Sequence, residues 1–169
     1  MASKRPTTIL AIGDPHFQIT NIPDVELFIE KIRSLALLRN PDLIVCLGDL
    51  LHDHEKIHTT PLNKAYDFIR SMRDIAPTII LVGNHDYIGN QQFLTDAHWM
   101  NGMKEWDNVT VVDKIHHETT RNGEHLVFCP YVPPGRFKEA LNTSEIDWTD
   151  AAIIFAHQEF FGFKLGAII

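Results

Sequence analysis

The sequence predicts an α/β fold built on parallel strands. Two observations lead there. Short apolar runs of strand length alternate with helical stretches through residues 7–86, and each run ends in a polar cluster. A strand covered on both faces reads as a continuous apolar run rather than an alternating one. Strand–helix–strand alternation then implies right-handed crossovers and a parallel sheet.

Residues 7–12 form the first run, ending at Gly13-Asp14-Pro15-His16. Pro23 and Asp24 open a helix, because proline in the first turn gives up only an amide hydrogen that has no helical partner. Val25, Phe28, Ile32, Leu35 and Leu38 recur at helical spacing and predict one apolar face, which Asn40-Pro41 ends. Residues 43–47 form the second strand, ending at Gly48-Asp49. A polar loop rich in histidine follows, and Pro61 opens a second helix running to Ile75. Residues 78–82 form the third strand, ending at Gly83-Asn84-His85-Asp86. Sheets of this kind bind ligands beyond the carboxyl ends of their strands, so the three clusters meet on one edge.

The second half is patterned differently. A helical stretch over 91–106 precedes a strand at 109–112, then a hairpin turning at Asn122-Gly123. Pro130, Pro133, Pro134 and Gly135 mark a loop, 136–141 a short helix, and 151–156 a last buried strand ending at His157. Neither an internal repeat nor a linker interrupts the chain, so residues 1–169 are read as one domain.

Composition narrows the function classes. Hydrophobic residues at 44% and charged residues at 22% suit a globular domain. The net charge of −7 argues against a broad basic nucleic-acid surface, although bound cations would offset part of it. Cys46 and Cys129 sit inside apolar runs and read as buried free thiols of a reducing compartment. With no run of 18 apolar residues and no secretory signal at the start, a membrane span is not expected and an intracellular location is.

Asp14 and His16 lie on the same side of the first strand's exit, Asp49 follows the second, Asn84 the third and His157 the last. Carboxylate, imidazole and amide donors together suit Mn²⁺, Fe or Zn²⁺ better than Ca²⁺, which prefers oxygen cages. Gly13, Gly48 and Gly83 are read as relieving crowding where the chain turns beside the site.

Asp14-Pro15-His16, Gly48-Asp49-Leu50-Leu51-His52, Gly83-Asn84-His85-Asp86 and the strand-end His157 resemble the first four motifs of the calcineurin-like metallophosphoesterases. The resemblance implies a four-layer αββα sandwich with two divalent metals, Mn²⁺ foremost, between loops on one edge. It further implies that Asp14 and His16 bind the first metal, Asp49 bridges both, and Asn84 and His157 bind the second. His85 would protonate the leaving oxygen, Asp86 would orient its ring, and His52 would contact substrate or steady the site. The implied reaction is phosphate-ester hydrolysis by a hydroxide activated between the two cations.

The family's fifth motif, Gly-His-x-His, is absent from these residues, and 166–169 form an apolar tail. The expectation is a domain truncated after residue 169. The other two readings are a complete but defective site, and substitution by His116, His117 or His125. The second motif lacks Asp-Arg-Gly and the third ends in Asp, which points away from protein phosphatases and towards the nuclease and phosphodiesterase branch. Residues 130–137 are also similar to short viral and phage phosphoesterases. The expected partner is a phosphate-ester substrate, a nucleotide or nucleic acid included. Lys4, Arg5, Arg136, Lys138 and Lys164 are scattered and read as solvated surface rather than a DNA groove, with a DNA or RNA nuclease kept as an alternative reading. A non-catalytic scaffold of the same fold is the reading from another class.

Overall fold

A computed structural model describes residues 5–160 and 162. Lys4, Lys164 and the tail 166–169 lie outside the described residues. Four strands, β1 (Ile9–Ile12), β2 (Leu43–Cys46), β3 (Thr78–Leu81) and β4 (Val109–Val112), form an all-parallel sheet in that order. A second sheet of β5 (His116–Thr119), β6 (His125–Cys129) and β7 (Ile153–Ala156) is mixed, with β5–β6 antiparallel and β6–β7 parallel.

The helices α1 (Ile22–Arg39) and α2 (Thr59–Arg73) cover one face of the first sheet. Their core includes Phe17, Ile44, Phe68, Ile69, Met72 and Ile80, all buried. Val45, Ile79, Leu81, Val112, Leu126 and Phe128 fill the space between the sheets. Beyond the second sheet, Val127, Cys129, Val132, Ala140 and Leu141 pack with α3 (Phe137–Leu141), Phe93 and Trp148. The layers therefore run helices, sheet, sheet, then α3 with its loops, as the expected αββα sandwich requires.

Local rules place the boundaries. Asn40 ends α1 in the left-handed conformation at φ 46° and returns its amide to Ala36 O at 2.9 Å. Asparagine tolerates that conformation better than most residues, and Pro41 forbids another turn. The buried stripe of α1 is Val25 and Ala36, with Phe28, Ile29 and Ile32 partly covered. Leu38 is not on it. Six residues past Ile32 it lies roughly 240° further round the helix, and it is 79% exposed. Helix α2 starts two residues before Pro61, which still occupies the first turn, where its missing amide hydrogen does no harm.

The helix expected over 91–106 is reduced to a 3-10 segment, Trp99–Glu105. Before it, polar side chains take over the backbone: Thr95 Oγ1 accepts from Ala97 N at 3.0 Å, and His98 Nδ1 accepts from Met100 N at 3.1 Å. Such local bonds compete with helix formation. The hairpin turns at Gly123, whose φ of 92° suits glycine. Both cysteines are free and buried, and burial pushes each thiol up to about 12. Among the described residues no helix is long and apolar enough to cross a membrane.

Candidate active site

The expected residues converge at the carboxyl edge of the first sheet. Asp14 and His16 follow β1, Asp49 follows β2, and Asn84, His85 and Asp86 follow β3. Strand β7 delivers His157 from the second sheet. The two sheets are tied at this edge by Tyr131 N donating to Val82 O at 2.8 Å, and by the His157 ring meeting Leu47 O at 2.8 Å.

Asp49 is the centre, only 3% exposed. Its Oδ2 lies 3.6 Å from His16 Nε2 and 3.5 Å from His157 Nε2, so one oxygen faces imidazoles from both halves of the site. His157 also lies 3.5 Å from Asp14 Oδ1 through Nδ1, and 2.9 Å from Asn84 Oδ1 through Nε2. All five residues assigned as metal ligands from the sequence are thus brought together.

The backbone is strained at three of these residues. Asp14, His16 and Asp49 have φ of 24°, 46° and 51°, a region that costs a non-glycine residue on the order of 1–3 kcal/mol. Two glycines make the packing feasible. A Cβ on Gly48 would lie 2.9 Å from both Gly83 Cα and His157 Nδ1, and one on Gly83 would collide with Asp49 Oδ1 and its backbone nitrogen. Gly13 differs from the expectation, since a Cβ there meets nothing within 4 Å.

Asp86 does not take the role expected of it. Its Oδ2 accepts from Asp49 N at 2.7 Å and Gly83 N at 3.0 Å, and its Oδ1 accepts from Trp99 Nε1 at 3.0 Å. Both oxygens therefore point under the site rather than at the His85 ring. Burial, with the charge of Asp49 adding to it, pushes Asp86 up to about 7 against those three donors. The His85 ring is held instead by the backbone carbonyl of His52, which meets its Nδ1. The ring of His52 also stacks on His85, with centroids 5.4 Å apart.

His54 stacks on His85 more closely, with centroids 4.5 Å apart and planes at 18°. Neither His54 nor Trp99 belongs to the four motifs. The histidine-rich loop was a signal for the former; no sequence signal pointed to the latter. His16, His52 and His85 each present one ligand nitrogen within 4.8 Å of the others. Burial holds His16 below the usual histidine range, and the neighbouring His85 and His52 add to that against the charges of Asp49 and Asp14.

These residues fit divalent metal ions. His16 Nδ1 is a buried nitrogen with no hydrogen-bond partner, an arrangement that normally costs stability unless something else occupies the atom. The donor set is mixed nitrogen and oxygen around a nearly buried carboxylate, which suits transition-metal ions. A cleft of about 170 Å³ opens beside His85, lined by Asp53, Glu55, Ile57, Ile88 and Trp99. A cavity of about 400 Å³ lies at the opposite edge, among Thr7, Asp42, Pro77, Asn108 and Arg121, and contains none of the candidate ligands.

His116, His117 and His125 do not reach this edge. His116 Nε2 meets Glu118 at 2.9 Å, and His117 and His125 engage each other at 2.8 Å.

The family model for calcineurin-like phosphoesterases matches residues 7–160. The chain is 51% identical over 164 residues to "Putative phosphoesterase 078R" of Invertebrate iridescent virus 3, a match covering 95% of this chain and 47% of that protein. It is 51% identical over 161 residues to "Putative phosphoesterase 244L" of Invertebrate iridescent virus 6, covering 95% of this chain and 56% of that one. The chain thus spans about half the length of the curated relatives it matches. Among solved structures, the crystal structure of Pseudomonas putida nuclease MPE aligns with a TM-score of 0.44 at 19% identity, over 72% of this chain and 63% of that one. On the extent of the family match, this chain belongs to the calcineurin-like phosphoesterase family.

Proposed function

We propose that this chain carries the catalytic edge of a metal-dependent hydrolase of phosphate esters. The observation that carries the reading is the meeting of Asp14, His16, Asn84 and His157 around the buried Asp49 carboxylate. Asp14, His16, Asp49, Asn84 and His157 would hold two divalent ions, with Mn²⁺ the first to test and Fe or Zn²⁺ compatible with the donors. Bound there, the ions would neutralise charge on the phosphoryl oxygens and supply a nucleophilic water at neutral pH.

The remaining work falls to the chain's own side chains. With Nδ1 held by the His52 carbonyl, His85 has Nε2 left to carry a proton to the leaving oxygen. Asp86 fixes the Asp49 and Gly83 amides and so sets where the central carboxylate stands. The cleft beside His85 offers the leaving group an apolar wall in Ile57, Ile88 and Trp99, with Asp53 and Glu55 at its polar side. Two of the basic residues that a DNA groove would need are already engaged: Arg5 pairs with Asp42 at 2.6 Å and Arg136 with Glu139 at 2.5 Å.

The test is an assay of an aryl phosphodiester and an aryl phosphomonoester with Mn²⁺ and after chelation. Activity that needs the metal and falls in His85→Ala supports the reading, and the preferred ester narrows the substrate. Bound Mn²⁺ without turnover of either ester would favour a scaffold role for the fold.

A further inference from the structure

The β5–β6 hairpin carries a second set of polar groups away from the metal edge. His117 and His125 are diagonal neighbours across the antiparallel pair, since His117 sits opposite Val127 and His125 opposite Thr119. Their rings stack with centroids 5.1 Å apart and planes at 18°. Three hydrogen bonds link them into a chain: Ser144 Oγ to His117 Nε2 at 2.8 Å, His117 Nδ1 to His125 Nε2 at 2.8 Å, and His125 Nδ1 to Asp150 Oδ1 at 2.9 Å.

Only one set of proton positions satisfies all three bonds with neutral rings. An ionised carboxylate only accepts, so His125 Nδ1 carries its hydrogen and its Nε2 is an acceptor. His117 then donates from Nδ1, and its Nε2 is left to accept from the Ser144 hydroxyl. Ile146 N donates to the same oxygen at 3.1 Å, which fixes the hydroxyl from its other side.

We propose that Ser144 is a nucleophilic hydroxyl, activated through His117, His125 and Asp150, and forms a second reactive site for acyl or phosphoryl electrophiles. The arrangement is that of a serine facing a base whose other nitrogen is held by an orienting group, with a second imidazole interposed before the carboxylate. On attack, Oγ bonds to the electrophilic atom and the leaving group departs with its electron pair. The hydroxyl proton passes to His117 Nε2, the His117 Nδ1 hydrogen passes to His125 Nε2, and the resulting imidazolium rests against Asp150.

Burial lowers the His117 pKa, and the neighbouring His125 and His116 lower it further against the charge of Asp150, so the ring is an available base at neutral pH. The charged and titratable groups facing the pair are His116, Asp147 and Asp150. Ser144 lies in the loop between α3 and β7, near the amino-terminal ends of β6 and β7, whereas His157 follows the carboxyl end of β7. A four-residue strand separates those ends by roughly 13 Å, so the relay and the metal edge are different sites.

The experiment is labelling of the whole chain with a fluorophosphonate, which releases fluoride as the phosphorus–oxygen bond forms, followed by mass mapping of the modified residue. Expected are a single label on Ser144 that survives chelation of divalent metals, is absent in Ser144→Ala, and forms about a hundredfold more slowly in His117→Gln. The labelling rate of the unmutated protein should rise with pH through the imidazole range and then level off. No label on Ser144 would overturn the proposal, as would a rate unchanged in His117→Gln. If His117→Gln does not fold, the pH profile decides: a rate that climbs without levelling means an ordinary serine and a relay that only anchors its loop.

Discussion

Four parallel strands end at one edge of the first sheet, and the carboxylates that follow β1, β2 and β4 meet very different surroundings. Asp113, after β4, lies 2.6 Å from Lys104 Nζ and 3.2 Å from His98 Nε2. Burial pushes it up, but the hydrogen bonds and charges of those two partners outweigh that and hold it down at about 2. Asp14 and Asp49, after β1 and β2, face imidazoles of His16 and His157, and among the described residues neither has a lysine or arginine ion-pair partner. Their backbones are left-handed as well. The difference teaches that a strand-end carboxylate with a resident cation is a structural tie, whereas strained carboxylates gathered around histidines suit cations from solution.

The sharpest way to break the comparison is Asp49→Ala, which removes the oxygen that both His16 and His157 approach. Phosphate-ester hydrolysis should fall to background and Mn²⁺ should no longer raise the melting temperature. Next in size is His85→Ala, with turnover down by about 10²–10⁴-fold and the Mn²⁺ shift retained, as read from paired kinetic and melting measurements. Gly83→Ala pushes a methyl group into the Asp49 carboxylate and should destabilise the fold by about 1–3 kcal/mol in denaturant titration. Gly13→Ala, with open space around its Cβ, should stay within about 0.5 kcal/mol of the parent.

The comparison is sharpened further by pH at Asp113. Its folded pKa of about 2 lies below the ordinary aspartate value of 3.8, so the folded state binds its proton less readily than the unfolded chain. The stabilisation is therefore present above the unfolded value and is lost as pH falls from about 4 towards about 2. In Asp113→Asn this loss should disappear, and the stability gap between parent and variant should narrow over that window.

The edge was legible in the sequence because strand exits are marked twice, by the end of an apolar run and by a glycine followed by polar residues. Asp14, His16, Asp49 and Asn84 could be placed together from that pattern, while His157, which follows Ala156 with no glycine, was marked only by the end of its apolar run and by the family resemblance. Their finer roles could not be placed. Whether Asp86 turns towards the His85 ring or beneath Asp49 depends on a tight turn after Gly83 and on Trp99, a residue 13 positions away. Leu38 was misplaced because α1 is apolar on several sides, so spacing alone does not single out the face that packs. Residues 91–98 failed as a helix because short polar side chains bond the nearby backbone, a contest that apolar periodicity does not register. The Ser144–Asp150 relay was equally invisible, since the loop that carries it folds back onto the hairpin only in three dimensions.

The most direct test of the central claim is the melting temperature of this chain as a function of Mn²⁺ concentration, in parent and Asp49→Ala side by side. A ligand that binds only the folded state stabilises it by about 2.7 kcal/mol at a hundred times its Kd. The account predicts a concentration-dependent rise in the parent that is absent in Asp49→Ala. No rise in the parent, or the same rise in both, would contradict a metal centre built around Asp49.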